Sequence, residues 1–211
     1  MAGECADDDD AKATINELRN AVLDELKMHN SVVQEWGIDP TKEIIPNATT
    51  KKYIDFLIGT ASGKVDGGKG TGKIATPFEK TKLAAYTVGA MAPCMRLYAF
   101  LGKELQVFLK QDQNSHPYKK WIENYSSKSF EDAALQIEEL LDKLSVSFTG
   151  EELEVVGKLY HQAMKLEVNS FLLSQLFNLR SSFDKADDPN NRLLSFLIDL
   201  TCTLLILPPF G

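Results

Sequence analysis

The chain has 211 residues, 44% of them hydrophobic and 25% charged, which is ordinary for a soluble globular protein and long enough for one domain with a sizeable core. A formal net charge of -7 argues against nucleic-acid binding and against docking on an anionic membrane surface. Three widely spaced cysteines, Cys5, Cys94 and Cys202, make neither a disulfide framework nor a zinc site and point to a reducing compartment.

Residues 1–12 are acidic and carry no apolar or basic leader, so a cytoplasmic location is expected. The acidic run at 7–10 suits the positive end of a helix dipole. Behind it Ile15, Leu18, Val22, Leu26, Val32 and Val33 recur at helical spacing as far as Trp36-Gly37. Residues 38–46 hold two prolines and read as a connection. A second helix is predicted to start at Thr49 or Thr50 and to carry Tyr53, Phe56, Leu57 and Thr60 on one face.

Residues 63–73 are rich in glycine and lysine, and their spacing approaches a phosphate-binding loop. Ile74 stands where that motif needs a magnesium-binding Ser or Thr, and a helix rather than a strand precedes it, so a flexible loop is expected. Thr76-Pro77-Phe78-Glu79 then forms a capping box with proline at the first helical position. The helix behind it runs through Leu83, Tyr86 and Val88 to about Leu109, with Pro93 expected to kink or interrupt it.

His116-Pro117-Tyr118 opens a shorter predicted helix through Trp121, Ile122 and Tyr125. Ser129 can cap the next, whose stripe is Ala133, Leu135, Ile137, Leu140, Leu141 and Leu144. Thr149-Gly150-Glu151-Glu152 is a second capping box, opening a helix past Leu159, Met164, Leu166 and Glu167 toward Phe177. Residues 193–207 are apolar but shorter than the roughly 20 residues of a spanning helix, and Asp199 interrupts them, so no membrane anchor is expected. With no alternating strand pattern before the C-terminal stretch, the fold is expected to be all-α.

Chemistry concentrates around Pro93-Cys94-Met95-Arg96-Leu97-Tyr98. Cys94 and Tyr98 lie one helical turn apart, so a thiol and a phenol share a face beside loosened backbone. That makes Cys94 a plausible nucleophile; the bland alternative is a small cysteine filling a kink. Glu167 falls on a helix face that is otherwise apolar. Most such glutamates sit at the edge of the stripe, whereas one drawn into a pocket would serve as acid and base near neutrality. Tyr53, Tyr98 and Tyr125 each occupy the inward side of a different predicted helix, which is ordinary packing unless they converge on a flat heterocycle. His29, His116 and His161 show no metal-ligand spacing.

These pieces resemble the TenA family, the thiaminase-II-like aminopyrimidine hydrolases of thiamin salvage. The resemblance is carried by Pro93-Cys94-Met95-Arg96-Leu97-Tyr98 with Gly102-Lys103-Glu104-Leu105, by residues 116–125, and by Lys165-Leu166-Glu167. Over residues 4–168 it looks most like the plant members that join such a domain to a haloacid-dehalogenase-type phosphatase. It implies a haem-oxygenase-like helical bundle lacking the family's first helices, over residues 1–178, followed by a linker and phosphatase remnant over 179–211. It implies Cys94 as nucleophile, Glu167 as acid and base, Tyr98 as their hydrogen-bonding neighbour, and Tyr53 and Tyr125 as walls around the pyrimidine. The implied reaction converts aminomethylpyrimidine to hydroxymethylpyrimidine, or cleaves thiamin, without metal or organic cofactor. The partners it implies are the pyrimidine substrate and further copies of the chain in a homo-oligomer. The alternative is an inactive fragment or an oligomerisation partner. In Phe196-Leu197-Ile198-Asp199-Leu200-Thr201, which is similar to the first phosphatase motif Asp-x-Asp-x-Thr, Leu197 takes the nucleophile's place, so no phosphatase activity is expected.

Overall fold

The computed structural model describes residues 8–35, 48–65, 77–109 and 119–182. Six helices make up these segments: α1 (Asp9–Glu35), α2 (Ala48–Ala61), α3 (Pro77–Leu109), α4 (Lys119–Tyr125), α5 (Lys128–Ser145) and α6 (Gly150–Ser182). Among the described residues there is no strand, so the all-α expectation holds.

The helix ends follow from local chemistry. Asp8 stands before α1 and accepts from the Ala11 N–H at 3.2 Å and the Asp10 N–H at 3.4 Å. Lys143, hydrogen-bonded to Asp8, together with the Ala11 N–H holds the Asp8 carboxyl below its ordinary range. Lys143 also pairs with Asp10. At the other end of α2, Gly63 adopts φ 80. The Lys64 N–H donates to Gly59 O and the Gly63 N–H to Thr60 O, both at 2.9 Å, the paired closure that favours glycine after a helix. α3 begins at Pro77, as the first capping box predicts. The second box is complete: the Thr149 N–H donates to Glu152 Oε2 at 2.9 Å, and the Glu152 N–H donates to Thr149 Oγ1 at 3.3 Å.

One boundary differs from expectation. α5 is capped by Ser127, not Ser129: Ser127 is extended (φ -67, ψ 152) and accepts from the Phe130 N–H. Ser129 sits inside the first turn with its hydroxyl 3.0 Å from that of Ser127. α3 runs through Pro93 to Leu109 without interruption, as far as its spacing predicts, with the proline fully buried. The predicted opening at His116-Pro117-Tyr118, the glycine-lysine loop from residue 66 onward and residues 183–211, with the phosphatase-like motif, lie outside the described residues.

The described residues belong to two compact units, Met1–Leu18 with Phe56–Met164, and Arg19–Asp55 with Lys165–Gly211. In the first, Ala84, Ala85, Val88 and Ala92 of α3 pack with Ile137, Leu140 and Leu144 of α5 and with Ala11 of α1. Alanines on α3 let the helices come close, and each buried Leu or Ile of α5 contributes about 1.5–3 kcal/mol. Ile137, Leu140 and Leu144 of the predicted α5 stripe are buried and Leu141 packs against them, but in the first half of the helix Ala134 is buried whereas Leu135 is 43% exposed. A one-residue step turns a side chain about 100° around a helix, which places Leu135 off the buried edge. Tyr86, Val156 and Leu159 form a second cluster, with Tyr86 edge-on to Phe148. In the second unit the buried residues include Tyr53, Ile54, His29, Thr50, Glu167 and Ser170.

Candidate active site

In the first unit α3 supplies Cys94, half-buried and unbridged, and Tyr98, buried one turn later. Both flank Arg96 in sequence. Tyr98 leads into a run of rings. Its centroid lies 6.0 Å from Trp121, roughly edge-on, and 5.2 Å from Tyr125. Trp121 and Tyr125, four residues apart on α4, are 4.6 Å apart, and Phe130 of α5 meets Tyr125 edge-on at 4.7 Å. Offset and edge-on pairs at these distances are the favoured geometries for aromatic rings. The structure therefore brings together three of the expected site residues, Cys94 and Tyr98 on one helix and Tyr125 against Tyr98.

Tyr125 reaches this place because α3 passes the end of α4 with no side chain in between. A Cβ at Gly102 would lie 2.4 Å from the Tyr125 carbonyl carbon and 2.6 Å from the Ser126 nitrogen. Only glycine permits that approach.

Across the helix from Cys94, Arg96 holds α3 to α5. Its Nε and Nη2 donate to the two Glu138 carboxylate oxygens at 2.8 and 2.5 Å, and Nη1 donates to Glu131 Oε1 at 2.9 Å. Lys103, two turns further along α3, reaches Glu131 Oε2 at 2.6 Å. The bond to Glu138, ahead of that to Glu131, raises the Arg96 guanidinium further above its ordinary range. Lys103 and then Arg96 hold the Glu131 carboxyl down.

The second unit contains the other two expected residues. Tyr53 of α2 is 1% exposed and Glu167 of α6 is 4% exposed, so Glu167 is not the stripe-edge carboxylate that most helical glutamates are. The hydroxyls of Thr50 and Ser170, each buried, meet at 3.0 Å and join α2 to α6. Thr50 precedes Tyr53 by three residues and Ser170 follows Glu167 by three, so each hydroxyl shares a helix face with a candidate site residue.

Trp121, Phe130, the Thr50–Ser170 pair and the Arg96 network were not singled out from the sequence. The spacing of Trp121 and Tyr125 placed both on one face of α4 and was a usable signal; the others join residues distant in the chain. Among the described residues no cluster of His, Cys, Asp or Glu is arranged to hold a metal ion, and no helix is long and apolar enough to cross a membrane. His29 is fully buried with Nε2 3.6 Å from Glu25 Oε1.

Residues 78–177 match the TENA/THI-4/PQQC family. That span includes Cys94, Tyr98, Tyr125 and Glu167, and leaves Tyr53 outside. A bifunctional TH2 protein, mitochondrial, of Arabidopsis thaliana is 54% identical over 211 residues, 97% of this chain and 33% of that protein. An aminopyrimidine aminohydrolase of Staphylococcus aureus is 36% identical over 77 residues, 36% of this chain and 33% of that protein. The thiamine biosynthesis multifunctional protein ThiED of Corynebacterium efficiens is 29% identical over 108 residues, 50% of this chain and 11% of that protein. The chain thus spans a third of the length of the Arabidopsis relative. No solved structure matches it at a significant level. The mitochondrial relative overturns the cytoplasmic location expected above. That expectation rested on the acidic residues 1–12, which carry no information on compartment in a chain that spans a third of its relative. From the matched span and the extent of identity, this chain carries a TENA/THI-4/PQQC family domain.

Proposed function

We propose that this domain hydrolyses aminopyrimidines in thiamin salvage, converting aminomethylpyrimidine to hydroxymethylpyrimidine and ammonia, and acting on thiamin with the thiazole as leaving group. The observation that carries the reading is the half-buried, unbridged Cys94 one turn from Tyr98, beside a run of aromatic rings and inside the family span. The similarity to an aminopyrimidine aminohydrolase supports the substrate class.

In this reading the Cys94 thiolate adds to a ring carbon of the pyrimidine and breaks its aromaticity. Electron density is pushed toward the exocyclic methylene, and Glu167 gives its proton to the departing amine. Water then adds at the methylene carbon and loses a proton to Glu167, restoring the acid. The ring adduct collapses, returning the thiolate and releasing hydroxymethylpyrimidine. The balance is substrate plus water to alcohol plus ammonia, with nothing oxidised or reduced. Tyr98 hydrogen-bonds within the catalytic group, and Tyr53 and Tyr125 flank the flat ring. The buried state of Glu167 and Tyr53 supports these roles, since a proton donor and a ring-binding phenol both work best away from bulk water.

The test is incubation of the purified chain with aminomethylpyrimidine in water enriched in oxygen-18. Hydroxymethylpyrimidine carrying one heavy oxygen on its hydroxymethyl group, with one ammonia released per product, is the expected result. Absence of that product, or heavy oxygen on the ring in place of the ring amine, would overturn the reading.

A further inference from the structure

We infer that Arg96 is a positioning residue that sets the rotation of α3 and so presents the Cys94 thiol. Residues two apart on a helix are about 200° apart around its axis, and residues four apart about 40°. Arg96 lies two residues from both Cys94 and Tyr98, which puts it on the opposite side of α3 from the edge those two share. On that side it is fixed at three points, by both oxygens of Glu138 and by Glu131.

Glu131 and Glu138 are seven residues apart, two turns along one face of α5. Arg96 and Lys103 are likewise two turns apart along α3, and both reach Glu131. A single ion pair would tether the helices and leave each free to roll. A fork gripping two carboxylates separated along the partner helix, with a second cation further along, resists rolling. Lysine cannot reproduce that grip, because its ammonium is a point charge. The side chains are only about a third exposed or less, apart from Lys103, so the cluster is less screened than a surface pair. The rise in the Arg96 pKa caused by Glu138 and Glu131 agrees with this geometry.

The inference rests on the reading of Cys94 as nucleophile, and two readouts on the full chain separate the two. The first is steady-state turnover of aminomethylpyrimidine per folded molecule. The second is the rate of iodoacetamide modification at Cys94, resolved by peptide mass spectrometry with Cys5 and Cys202 as internal references. In Arg96→Met, kcat is expected to fall about ten-fold or more with KM within about two-fold. The Cys94 modification rate is expected to rise about three-fold or more, as the released helix exposes the half-buried sulfur. Arg96→Lys recovers part of each effect. Where Arg96→Met does not fold, Glu138→Gln is read instead, with the same directions and smaller size. Turnover and modification both at wild-type values in the folded variant, whatever its melting temperature, would overturn the inference. A wild-type chain without turnover would overturn the proposed function, while the modification rate would still decide the role of Arg96.

Discussion

The backbone of α3 at Gly102 touches the backbone of Tyr125, the last residue of α4, so closely that a methyl group there would overlap the Tyr125 carbonyl carbon at 2.4 Å. Because Tyr125 packs on Tyr98, this one contact ties the ring run to the helix that bears Cys94. Gly102→Ala is therefore expected to destabilise the chain at or above the upper end of about 1–3 kcal/mol, since backbone rather than a flexible side chain must move. Chemical denaturation measures it. A loss below about 0.5 kcal/mol would mean that the approach is not real.

The buried Thr50–Ser170 hydroxyl pair gives a second expectation. Removing either hydroxyl breaks the one bond between them, at about 0.5–1.5 kcal/mol, and removing both breaks that same bond only once. In a double-mutant cycle, Thr50→Val with Ser170→Ala should cost clearly less than the sum of the single changes. Additive losses would show that the two hydroxyls do not depend on each other.

Acid stability follows from the capping box. The Glu152 carboxyl is held below its ordinary value of 4.5, first by the hydrogen bond from Lys82 and then by the Thr149 N–H. Its folded pKa lies below its unfolded one, so its contribution is full above the unfolded value and disappears as pH falls through the folded value. Glu152→Gln should lower stability by about 1 kcal/mol at neutral pH, with the gap to wild type closing below about pH 4. Thermal melts across that range test it, and a gap that widens in acid would contradict the sign.

Much of the fold was legible because its signals are local. Pro77 and the Thr149–Glu152 box mark helix starts within four residues of sequence, and both starts stand where they were read. The cap of α5 was misread because Ser126, Ser127 and Ser129 are chemically alike. The choice falls to where α4 ends: the Ser126 N–H still donates to Ile122 O, which leaves Ser127 as the first residue free to extend. Burial of Tyr53, Tyr98 and Tyr125 was legible from helical spacing. The Arg96 grip on Glu131 and Glu138, and the Thr50–Ser170 pair, join residues 35 to 120 positions apart, and no local pattern encodes which distant partner a buried polar group will find. The run of α3 through Pro93 to Leu109 was legible because apolar residues keep helical spacing on both sides of the proline.

In the reaction we propose, one sulfur, that of Cys94, performs the chemistry. The most direct measurement is the initial rate of hydroxymethylpyrimidine release from aminomethylpyrimidine by the wild-type chain and by Cys94→Ala, at matched folded concentration. Turnover by the wild type and a loss of about 100-fold or more in the variant are expected. Equal rates in the two would contradict it.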